Sequence, residues 1–141
     1  MSSEERIVIR SVAKPQKESA EALMDWFFDV FDLNKGNDAE PAIFREIVNN
    51  SINGKGTTSI MLTKKLKIPR STAIYHLNRF ISSGLVARKG TRYYLRAGDM
   101  TSTIAYLQAD MLREFGRMMQ FAEKMDDIFW GEVSVRRKER K

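Results

Sequence analysis

Asn78 and Arg79 stand three and four residues after Tyr75, in a stretch of chain from which acids are missing. At that spacing they share one face of a helix. Their chemistry suits nucleobase edges, because arginine pairs bidentately with guanine and asparagine with adenine. Ser71 and Thr72 add hydroxyls that position phosphate oxygens, and Arg70 adds a charge beside them. Lys64, Lys65 and Lys67 precede this set and Arg88, Lys89 and Arg92 follow it, as cations suited to neutralising phosphates. From Ile47 to Gly98 the chain holds ten Lys/Arg and no Asp or Glu. Residues 1–46 and 99–135 each sum to −4 and residues 136–141 to +4, so the net +6 conceals a segregated chain. Ordinary solvated surfaces mix both signs. A block that excludes carboxylates points to a polyanionic partner.

The elements that must position these residues follow from periodicity. The apolar residues Ala73, Ile74, Leu77, Phe80 and Ile81 fall opposite Ser71, Tyr75, Asn78, Arg79 and Ser82, so a helix is expected over 69–83, ending at Gly84. Ile68-Pro69 imposes an extended residue and a turn. A shorter helix precedes it, capped by Thr58 or Ser59 and reaching about Lys65, with Leu62 and Leu66 inward. Another is expected from Pro41 to about Asn50. The runs 85–88 and 92–95 flank Lys89-Gly90-Thr91 as a basic-tipped hairpin. Two outer helices complete the plan, one from Pro15 to about Leu33 with Gly36 near its C-cap, the other from about Asp99 or Thr101 to Trp130. The organisation read from this is an arm over 1–14, a helix over 15–36, a central domain over 37–98, a long helix over 99–131 and a basic tail over 132–141. Val133 and Val135 pairing with Ile7 and Ile9 is a lesser alternative for that tail.

Two short helices joined by a tight turn and followed by a basic hairpin match the winged helix-turn-helix plan, in which one helix enters the major groove. Thr63 to Val86, with Ser71-Thr72, His76-Leu77 and Gly84-Leu85-Val86, resembles the helix-turn-helix of arsenic-repressor (ArsR)-type transcriptional regulators. Arg92-Tyr93-Tyr94-Leu95 is similar to the end of that family's hairpin. The close resemblance covers residues 58–96, and the flanking helices agree in order only. Multidrug-resistance-regulator (MarR)-type proteins share the hairpin and the flanking dimer helices. The resemblance implies a mainly α fold with a small β-hairpin, double-stranded DNA as partner and regulation of transcription. It does not carry over the family's metal sites, since there is no cysteine and His76 is the one histidine. His76 itself reads as a packing residue at the edge of the buried face.

The last helix repeats Ile104, Met111, Met118 and Met125 seven apart, with Leu107, Phe115, Ala122 and Phe129 in the intervening positions. Such spacing makes a coiled-coil-like seam. With Leu23 and Phe27 of the first long helix it is expected to form a homodimer, presenting two recognition helices to a palindromic site. Leu112 and Met119 widen the face, so the helix is expected to pack against its own domain and a partner at once. The methionines are read as core packing in preference to an effector pocket; whether a small molecule is sensed stays open. No catalytic constellation, metal site or cofactor motif is visible, so the chain is read as a non-enzyme. The other Asp and Glu read as solvated. The absence of a signal-like segment and of a span of ~18 apolar residues gives a cytoplasmic, non-membrane expectation, with a repressor as the leading role. A winged-helix protein-interaction module, or sequence-blind DNA or RNA binding, are the alternatives.

Overall fold

The computed structural model describes residues 9–33 and 39–139. They form five helices and one two-stranded antiparallel sheet, a mainly helical fold with a small hairpin. The chain divides into two compact units, Met1–Tyr106 and Leu107–Lys141.

Helix α1 spans Ala20–Val30 and begins five residues later than Pro15 led us to expect. Ser19 is the reason: its Oγ accepts the Ala22 N–H at 3.2 Å and caps the first turn. The preceding segment lies against the helix instead of extending it. Trp26 Nε1 donates to the Ala13 carbonyl at 2.9 Å, and the Arg10 N–H donates to the Val30 carbonyl at 2.7 Å. The expected strand at 7–9 and the cap at Gly36 lie outside the described residues, apart from Ile9, which is exposed and not in a strand.

Helix α2 (Ala39–Ile52) starts before Pro41, which sits in the first turn, where a missing N–H costs nothing. Helix α3 (Ser59–Leu66) is capped by Thr58, whose Oγ1 accepts the Met61 N–H at 3.1 Å. Helix α4 (Arg70–Ser83) ends on Gly84 at φ +85°, a left-handed position that suits glycine. The core of the first unit forms where α1, α2 and α4 meet. Phe28, Phe44 and Phe80 pack there with ring centroids 5.3, 6.1 and 5.2 Å apart, joined by buried Ile43, Ile47, Leu62 and Leu77. The buried face of α1 is therefore centred on Phe28, which leaves Leu23 exposed and Phe27 half-buried.

Strands β1 (Val86–Lys89) and β2 (Arg92–Leu95) pair from Val86↔Leu95 to Lys89↔Arg92, with Gly90 at φ +61° in the turn. Thr57 bridges to Tyr93 through two backbone hydrogen bonds of 2.9 and 2.8 Å. The Leu95 N–H donates to Ser51 Oγ at 2.8 Å, which ties the hairpin to α2. Gly56 stands so close to β2 that a Cβ on it would lie 2.6 Å from Arg92 Cβ and 2.7 Å from Tyr94 Cζ.

Helix α5 runs without a break from Met100 to Glu139. The tail expected over 132–141 is thus helical through 139, and Val133 and Val135 belong to that helix and not to a sheet. Among the described residues, no helix is long and apolar enough to cross a membrane.

Candidate nucleic-acid interface

The three-residue link Lys67–Pro69 between α3 and α4 sets the site. Lys67 takes a left-handed conformation (φ +54°, ψ +46°), Ile68 and Pro69 follow, and Pro69 in extended geometry leads directly into α4. One face of α4 then buries Ala73, His76, Leu77 and Phe80. The opposite face leaves Arg70, Ser71, Tyr75 and Asn78 exposed and Thr72 partly so. Tyr75 is the large apolar surface of this front, 57% exposed. Lys64, Lys67, Lys89 and Arg92 are also exposed.

Four of the expected site residues, Lys65, Arg88, Arg79 and Tyr75, are already engaged within the chain. Lys65 Nζ lies 2.9 Å from Glu46, which stands one residue before the acid-free block begins. Arg88 donates from Nε to the Gly90 carbonyl at 2.7 Å, with its guanidinium 5.7 Å from the Tyr93 ring centroid. It braces the hairpin turn while remaining exposed.

Arg79 is the substantive correction. It was expected beside Asn78 at base edges, but its guanidinium turns back into the protein. Nε donates to Glu40 Oε1 at 3.0 Å, Nη2 to the Leu33 carbonyl at 2.9 Å and Nη1 to the Tyr75 hydroxyl at 3.4 Å. Its side chain is 24% exposed against 2% for Glu40. The cause is Glu40, a carboxylate expected on a solvated surface but buried beneath α4. A buried carboxylate needs a charged donor, and Arg79 is that donor. Burial pushes the Glu40 carboxyl above the ordinary carboxylate range, and Arg79, then His76, pull it part of the way back. His76 is buried as expected, with Nδ1 3.4 Å from Glu40 Oε2. Arg79 therefore positions Tyr75 and joins α4 to α2 and to the residue where α1's chain continues. No sequence signal marked the pair, because the partners are 39 residues apart and Glu40 reads as an ordinary acid in the first turn of a helix.

The expected dimer residues separate along the chain. Leu107 is 3% exposed, so it presents nothing to a partner, and Ile104 and Met111 are partly buried. From Leu112 to Glu139 every residue is exposed, including Phe115, Met118, Ala122, Met125 and Phe129. Met118, Met119 and Met125, read from the sequence as core packing, are 60%, 61% and 56% exposed. Among the described residues, no group of three or more His, Cys, Asp or Glu is placed to hold a metal ion. No family model, curated protein or solved structure matches the chain.

Proposed function

We propose that the protein is a sequence-specific double-stranded DNA-binding transcriptional regulator, a homodimeric repressor that acts by occluding a promoter. In this reading residues 37–98 are a winged helix-turn-helix: α3 braces, α4 enters the major groove and the β1–β2 hairpin is the wing. One observation carries it. The exposed front of α4 offers Arg70, Ser71, Tyr75 and Asn78 from a segment without carboxylates, with exposed cations on α3, on the link before α4 and on the hairpin. Groove recognition needs this combination of base-reading groups with flanking phosphate-neutralising ones.

The test is selection of bound duplexes from a random pool, followed by gel shifts of the selected and random DNA. A palindromic consensus with tighter binding to the selected duplex is the expected result. Equal affinity for both would indicate sequence-blind binding, and no binding to either would indicate a protein-interaction module; each outcome overturns the proposal. On the selected site, Asn78→Ala is expected to lose about 1–3 kcal/mol of discrimination at one base pair in each half-site.

A further inference from the structure

The second unit consists of helix with an uncovered apolar stripe, and the pattern of that stripe bears on how two copies meet. Met111, Phe115, Met118, Ala122, Met125 and Phe129 alternate at spacings of four and three, the repeat of a two-helix seam. We infer that two copies of α5 pair antiparallel about a two-fold axis at Gln120. The inference rests on the homodimer proposed above but is independent of DNA binding.

Steric matching favours this register. Antiparallel pairing about Gln120 sets Met111 level with the partner's Phe129, Phe115 with the partner's Met125, and Met118 with the partner's Ala122. All six seam residues find one another, and each alanine is filled by a methionine. Parallel, in-register pairing stacks Ala122 on its own copy between two methionine layers and leaves a void, which a packed seam does not tolerate.

Charge favours it too. The stretch from Glu123 to Glu132 holds four acids and one lysine, and it is followed by Arg136, Arg137 and Lys138. Parallel pairing brings each of these blocks against its own copy, and like charges side by side repel. Antiparallel pairing instead sets the acidic stretch level with residues 108–117 of the other copy, which hold two arginines against two acids, so neither block meets its own copy. It creates one like-charge level, Glu114 with the partner's Asp126, but Glu114 already has Arg117 at 3.1 Å.

The chain contains no cysteine, so introduced thiols report without background. Full-length Phe115→Cys and Met125→Cys proteins, one carrying a mass tag, are purified reduced, then oxidised separately and as an equimolar mixture, without DNA. A mixed disulfide-linked dimer is expected from the mixture and none from either protein alone, since in this register each thiol lies about 15 Å along the axis from its own copy. Self-linking of Phe115→Cys would mean parallel pairing and overturn the orientation, with the homodimer intact. Absence of the mixed link from a sample that sediments as a dimer would overturn the register. Sedimentation of the wild type as a monomer would overturn the inference together with the homodimer, and leaves the DNA reading to the selection experiment. Met118→Glu, at the most tightly matched level, is expected to shift the protein from dimer to monomer.

Discussion

Arg79 is placed by a partner that no local pattern would reveal. Glu40 is almost wholly buried, and three groups of different elements, Glu40, Tyr75 and the Leu33 carbonyl, converge on one guanidinium. Removing it leaves a buried carboxylate without its strongest donor, a loss on the order of 3 kcal/mol. The pH dependence has a definite sign. Burial raises the Glu40 carboxyl above its ordinary value of 4.5, so its contribution to stability is present at low pH and is lost as pH rises through the folded-state value. Arg79 is the largest of the causes that lower it, and Arg79→Ala raises it further. The deficit of Arg79→Ala against wild type, measured by urea denaturation, is therefore expected to be larger at neutral pH and to shrink toward pH ~4.5. A deficit independent of pH would rule out Glu40 as the group that Arg79 serves. The residue-scale lesson is that an arginine in a basic block need not face the ligand.

The turns between elements impose stricter demands than the helices. Gly56 has side-chain atoms of Arg92 and Tyr94 in β2 within 3 Å of where a Cβ would stand, and Arg92 Cβ cannot swing aside as a flexible tip would. Gly56→Ala is expected to cost about 1–3 kcal/mol as the hairpin is pushed off the Thr57 bridge, read as a lower denaturation midpoint. Lys67 presents the opposite case. Its left-handed backbone costs a non-glycine residue about 1–2 kcal/mol, while glycine loses about 0.5–1 kcal/mol through unfolded-state entropy. Lys67→Gly is expected to be at least as stable as wild type and Lys67→Ala to gain nothing. Both are expected to flatten the salt dependence of DNA binding by about two units, since each removes one exposed cation from both protomers of the proposed dimer. If stability and salt slope moved together in these two variants, Lys67 would be structural only.

For the molecule as a whole, the proposed DNA binding would draw its nonspecific affinity from the exposed cations Lys64, Lys67, Arg70, Lys89 and Arg92. A dimer that neutralises ~6–10 phosphates is expected to lose about 10³–10⁵ in affinity between 50 and 200 mM salt; a flat response in a filter-binding titration would remove the electrostatic basis of the proposal. Much of this layout was readable from the chain alone. Helices α3, α4 and the hairpin came out near their expected limits, because capping by Thr58, the Ile68-Pro69 break and Gly84 are local effects that act within a turn of where they occur. The segregation of charge was likewise plain, since it is a property of order along the chain. Tertiary packing decided the rest. It buried Glu40 and so withdrew Arg79 from the exposed front, and it chose Phe28 over Leu23 and Phe27 as the inward face of α1. Residues 112–139 of α5 are exposed. Each of these depends on which distant surfaces meet, and helical spacing marks a face as apolar without saying what will cover it.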